Sequence, residues 1–117
     1  MTYGDLSIIN KLSEIYQIHY GYLQLFPKRD QHALGTKCEM YITAILELLL
    51  AAGYAARGQK LQLLEQASTK LDALKFFIRV ARQINILDEK KYITLQTDLQ
   101  DIGKMLGGWL RSLKENS

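Results

Sequence analysis

Residues 64–113 read LEQASTKLDALKFFIRVARQINILDEKKYITLQTDLQDIGKMLGGWLRSL, and two apolar seams run through them. Leu64, Ala67, Leu71, Leu74, Ile78 and Ala81 follow one another at steps of three and four, and so do Tyr92, Leu95, Leu99, Ile102, Leu106, Trp109 and Leu113. Alternating threes and fours are the period of a helix that turns one face to a core. Between the seams, Asn85 suits the left-handed residue that closes a helix, and Asp88 suits the cap of the next. A link of two or three residues there forces the two helices to lie antiparallel.

The N-terminal half repeats the pattern. Ile8, Leu12, Ile15, His19, Tyr22 and Phe26 make a third seam, widened by Ile9, Tyr16 and Leu23, with Asp5 as the expected N-cap. Leu34, Cys38, Tyr41, Ile45, Leu48 and Ala52 make a fourth, flanked by Ile42, Leu46 and Leu49; Pro27 and Asp30 mark its start and Gly53 its end. Turn-forming residues gather near 26–31, 53–58 and 85–88, so all three connections are short. The expected architecture is all-α: residues 1–117 as a single domain, an antiparallel up-down-up-down four-helix bundle. Its helices should be roughly 30 Å long at ~1.5 Å per residue.

Composition excludes several classes. A chain of 117 residues with 48% apolar and 23% charged side chains and one proline is neither collagen-like, disulfide-framed nor disordered. The longest apolar run, residues 48–56 with Gly53 inside it, is far short of the ~20 residues that span a membrane. No membrane partner is expected. The opening Met1-Thr2-Tyr3-Gly4-Asp5 has neither the basic nor the apolar region of a secretory leader, and one cysteine forms no intrachain disulfide, so a cytoplasmic location is expected. The run Leu48-Leu49-Leu50-Ala51-Ala52 faces every direction, and Leu63, Phe76, Phe77, Val80 and Ile84 lie outside their helix's seam. That surplus predicts self-association, a homo-oligomer.

Catalytic chemistry is missing from the pattern. Di-iron bundles carry Glu-x-x-His on two helices, and this chain has no such motif. His19 lies in a seam and reads as a hydrogen-bonded interior imidazole; His32 reads as a surface or capping group near a helix start. Cys38 reads as small apolar packing, with no histidine assignable as its base. No phosphate-binding glycine loop and no zinc-binding pair of motifs occurs. No enzyme, no metal and no cofactor is expected. Gly103 and Gly107 share a helical face, where each glycine costs about 0.5–1 kcal/mol relative to alanine. Close helix packing around Gly103, Gly107 and Trp109 is the expected compensation.

Basic residues are the remaining candidates for function. Lys75, Arg79 and Arg82 follow at four and three with no acidic neighbour in their segment, and Lys104 and Arg111 are seven apart on the last helix. Lys28, Arg29 and Lys37 add to them near the second helix. Fifteen Lys and Arg against twelve Asp and Glu leave a net charge of +3, which assembly would multiply into a phosphate-binding surface. Sequence-specific recognition is not indicated, because no helix-turn-helix or stacking-platform motif is visible.

Two segments carry a resemblance. Phe26-Pro27-Lys28-Arg29 followed by His32-Ala33-Leu34-Gly35, and Ile102-Gly103-Lys104-Met105-Leu106-Gly107-Gly108-Trp109-Leu110, resemble the four-helix-bundle proteins that include the accessory variability determinant (Avd) of diversity-generating retroelements. Similar bundles encoded in intervening sequences of large-subunit ribosomal RNA genes share both segments. The resemblance implies a basic, barrel-shaped homopentamer that binds nucleic acid, RNA or DNA, and associates with the retroelement reverse transcriptase to support mutagenic template copying. It places Lys28 and Arg29 on the family's basic loop after the proline, and Lys37, Lys104 and Arg111 where basic residues commonly occur. Asp30, Asp98 and Asp101 dilute the positive field relative to many Avd proteins, which keeps a ribosomal intervening-sequence type of scaffold or adaptor as the alternative.

Overall fold

The four seams become the inward faces of four helices in the computed structural model, which describes residues 3–115. Helix α1 is Tyr3–Leu23; α2 is a composite rod of Lys28–Asp30, a π-helical Gln31–Gly35 and Thr36–Tyr54; α3 is Arg57–Gln83 and α4 is Glu89–Glu115. Helices adjacent in the chain pack side by side, and α1 lies against α4 to close the square. This is the four-helix bundle the short connections demand. α3 and α4 each hold 27 residues, hence are about 40 Å long at 1.5 Å per residue. They exceed the length expected from the sequence because polar residues such as Gln59 and Gln62 continue α3 beyond the end of its seam.

Every member of the α3 seam is buried, together with Ile8, Leu12, Ile15, Phe26, Cys38, Ile42, Ile45, Leu49, Ala52, Leu95, Leu99, Ile102 and Leu106. Much of the apolar surplus is absorbed as well. Leu48, Leu63 and Phe77 pack against this core, and Phe77 stacks on Tyr41 with ring centroids 5.7 Å apart. Leu50, Phe76 and Ile84 remain exposed.

Local chemistry explains the helix ends. Asn85 takes the left-handed conformation at φ 64°, its N–H donates to the Arg82 carbonyl at 3.1 Å, and the Ile86 N–H donates to the Ala81 carbonyl at 2.9 Å. This pair of bonds is a Schellman closure. Asp88 Oδ1 accepts the Lys91 N–H at 2.8 Å and so caps α4, while Leu87 between the two signals is buried. A β-branched side chain at a left-handed position is strained, so Asn85→Val should lower stability by about 1–2 kcal/mol, read by thermal unfolding, whereas Asn85→Gly should not lower it. Equal melting temperatures for the two variants would contradict the assignment.

Two boundaries differ from the sequence expectation. α2 runs through buried Gly53 to Tyr54, and the extended residues Ala55 and Ala56, at ψ 156° and 155°, make the turn instead. Asp5 is buried inside the first turn of α1 rather than standing before it. Its charge there opposes the positive end of the helix dipole.

The π-helical turn of α2 is tied to its surroundings. Pro27, at the N-cap, offers its carbonyl to the N–H groups of Asp30 and Gln31 at 2.8 and 3.0 Å. Gln31 Nε2 donates to the Phe26 carbonyl at 2.8 Å, and Thr36 Oγ1 donates to the Gln31 carbonyl at 2.9 Å. The turn brings buried Gly35 so close to α1 that a Cβ built on it would sit 2.0 Å from Leu23 Cδ1.

Candidate nucleic-acid interface

The groove between α3 and α4 brings two of the basic candidates together. Lys75 and Arg79, one helical turn apart on α3, line a groove of about 600 Å³ with Asp72, Phe76, Tyr92, Ile93, Gln96, Thr97 and Gln100. Gln96 Nε2 donates to the Lys75 carbonyl at 3.0 Å and pins the two helices together at that level. The Arg79 guanidinium lies over the Phe76 ring, 5.2 Å from its centroid. Asp72 is an acidic member of the groove that spacing along α3 did not bring into account.

The glycines of α4 make room for basic side chains. A Cβ built on Gly103 would lie 3.3 Å from Lys75 Nζ and 3.7 Å from Leu71 Cδ2, so the missing side chain leaves the Lys75 ammonium a seat across α4. A Cβ on Gly107 would meet only the Arg111 guanidinium, at 3.5 Å, and one on Gly108 the same group at 3.8 Å. No atom of another described helix lies within 4 Å of that Cβ position on Gly107. The atoms nearest this glycine face are therefore side-chain ends, and of the three glycines only Gly103 lies against side chains of another helix. Trp109 is half-buried against the core, and its carbonyl accepts the Ser112 hydroxyl at 2.7 Å.

The other basic candidates are not gathered into that groove. Arg82 lines a separate depression at the end of the bundle with Tyr22, Asp88 and Lys91. Lys28 and Arg29 are exposed at the start of α2, at the same end of the bundle. Lys37 lies over the rings of Tyr41 and Phe77, 5.3 and 5.9 Å from their centroids, in the cleft it shares with Lys70. Lys104 and Arg111 are exposed on α4. Among the described residues, none of these eight side chains ion-pairs with a carboxylate, whereas Lys11 is held by Asp98 and Asp101 at 3.7 and 3.8 Å. Of the residues that dilute the positive charge, those two aspartates are thus engaged on the α1 side of α4.

The nucleophile and imidazoles have structural roles. Burial pushes the Cys38 thiol up to about 12, so it stays protonated and unreactive at neutral pH. His19 is buried, and its Nε2 donates to the Gly35 carbonyl at 3.3 Å, which holds α1 against the π-helical turn. Burial lowers its pKa, opposed in part by that carbonyl and by Glu39. Tyr16 donates to Glu39 Oε1 at 2.8 Å between the same two helices, and this bond raises the tyrosine pKa. His32 is exposed. Because His19 binds its proton less readily folded than unfolded, its contribution to stability is full above pH 6.5 and falls as the pH drops from 6.5 toward the folded value. Urea unfolding at pH 7.5 and 5.5 should show this loss, and His19→Gln should remove it. A wild-type protein equally stable at both values would contradict a neutral buried imidazole.

No group of His, Cys, Asp and Glu among the described residues is placed to hold a metal ion, and no described helix is long and apolar enough to cross a membrane. Sequence reasoning named Phe76 only as apolar surplus and Tyr92 only as a seam member, and did not single out Ile93 or Gln96, because the meeting of the four depends on the register between α3 and α4. The one available signal was Phe76 three residues before Arg79, a helical spacing that sets an aromatic ring beside a cation. No curated protein matches the chain. Residues 6–113, nearly the whole bundle and both glycine- and proline-bearing segments, match one family profile, and the chain belongs to the bAvd-like family.

Proposed function

We propose that the protein is a non-enzymatic accessory subunit of a diversity-generating retroelement. It assembles into a homo-oligomer, a pentamer, binds RNA or DNA without sequence specificity, and associates with the reverse transcriptase to support mutagenic copying of the template. Membership of the bAvd-like family carries this reading. The cations of the α3/α4 groove support its nucleic-acid part, because Lys75 and Arg79 form no ion pair among the described residues and outnumber Asp72, the one carboxylate that lines the groove with them. Exposed Leu50 and Tyr54, one turn apart on α2, together with exposed Leu6 at the same end of neighbouring α1, support its oligomeric part.

Two measurements test the assembly. Light scattering at micromolar concentration should give a mass several times the 13.4 kDa of the chain, and a monomer mass refutes oligomerisation. Co-expression with the reverse transcriptase of the same locus should yield a complex that survives purification. A chain that never co-purifies, and whose gene lies in a ribosomal RNA intervening sequence, is a scaffold of the other branch instead.

A further inference from the structure

We infer that the α3/α4 groove takes unpaired nucleotides, with a base stacked on the Phe76 and Arg79 surface and its phosphates on Lys75 and Arg79. This inference rests on the nucleic-acid reading above and names the site and the form of nucleic acid it prefers.

The groove combines three chemistries that a bare phosphate-binding ridge does not need. Phe76 and Ile93 are 50% and 53% exposed at its walls, with Tyr92 half-buried beside them, and an exposed aromatic ring gives every base a face to stack on. Arg79 stands over Phe76 with its guanidinium carbon 5.2 Å from the ring centroid, and a guanidinium itself stacks with bases. Gln96, Thr97 and Gln100 line the same groove with neutral donors and acceptors suited to base edges. Beside these apolar walls stand Lys75, seated over Gly103, and Arg79, two cations against the one carboxylate of the groove, Asp72. The volume of about 600 Å³ lies within the ~300–1,000 Å³ of small-ligand sites, so the groove has room for a nucleotide. In a duplex the base faces are stacked on one another and only groove edges and backbone are offered, which would leave the Phe76 ring without a base face to stack on. A single strand satisfies the ring, the amides and the cations together.

The test compares fluorescent dT oligonucleotides with a duplex of the same length, at fixed salt, on the wild type, Phe76→Ala and Phe76→Tyr. Phe76→Ala should weaken single-strand binding about 5- to 150-fold, the equivalent of ~1–3 kcal/mol for one stacked base. Duplex binding and the salt slope should be unchanged, and Phe76→Tyr should retain single-strand affinity because it keeps the ring. A dT oligonucleotide bearing 5-iodouracil should photocrosslink to Phe76 or Tyr92 in the wild type. Equal losses for single strand and duplex, no loss in either, or crosslinks confined to other helices overturn the stacking site while leaving general cationic binding intact. A Phe76→Ala protein that has dissociated to a smaller mass also overturns it, since the groove is then a contact between copies. Failure of the wild type to bind either nucleic acid at low salt refutes the nucleic-acid reading itself.

Discussion

The double variant Lys75→Gln/Arg79→Gln should bind random-sequence single-stranded RNA about 60-fold more weakly at 50 mM salt. The magnitude follows from counterion release: a single strand contributes ~0.7 to the log–log salt slope per phosphate, so between 1 M and 50 mM each contact is worth roughly eightfold. The slope itself should fall by about 1.4 for two lost contacts. Arg82→Gln should lose less, because Arg82 lines another depression beside the Asp88 carboxylate. That carboxyl is held below the usual carboxylate range by its bonds to Lys91, with a further contribution from Arg82 itself. The three residues form one cationic row when read along the helix, yet the fold divides them between two sites. Equal losses for all three single variants would contradict that division, and unchanged affinity for the double variant would place the interface on another face of the bundle.

Gly35→Ala should destabilise the protein by about 1–3 kcal/mol, the cost of forcing extra volume into a packed contact. The added Cβ would stand 2.0 Å from Leu23 Cδ1 and 3.3 Å from the Asp30 carbonyl oxygen. Leu23 is partly buried against the core, so its Cδ1 must swing aside from its packed position, and the backbone carbonyl can yield less. The same movement would disturb the His19 bond to the Gly35 carbonyl. Urea unfolding measures the loss. Leu23→Ala opens the space the new methyl needs, so the double variant Gly35→Ala/Leu23→Ala should be less destabilised than the sum of the two single changes. Strict additivity would show that the two side chains do not meet.

The architecture was legible because it depends on local pattern. Each seam member of α3 is buried, and Asn85 and Asp88 perform the closing and capping their residue types suggest, since these choices are made within one or two turns of chain. Gly53 misled because a glycine inside a helix can be tolerated where it is buried, and here two extended alanines turn the chain without it. The π-helical turn at Gln31–Gly35 left no periodic trace, as one inserted residue in a short segment is invisible against the three-and-four rhythm. The candidate site was legible only in part. Charge can be counted along a helix, so Lys75 and Arg79 stood out. Their aromatic and amide companions belong to α4 as well as α3, and only the register fixed by Gln96 against the Lys75 carbonyl brings them together. Of the α4 glycines only Gly103 is tied to that register, since it faces Lys75 across the helix pair; Gly107 has only Arg111 of its own helix nearby, at ordinary contact distance.

The measurement that tests nucleic-acid binding most directly is the affinity of the assembled wild-type protein for random-sequence RNA between 50 and 200 mM salt. Several phosphate contacts multiplied by subunit copies should make it fall at least about tenfold over that range, with little dependence on sequence. Absence of binding at 50 mM, or an affinity that does not change with salt, would contradict a cationic accessory surface.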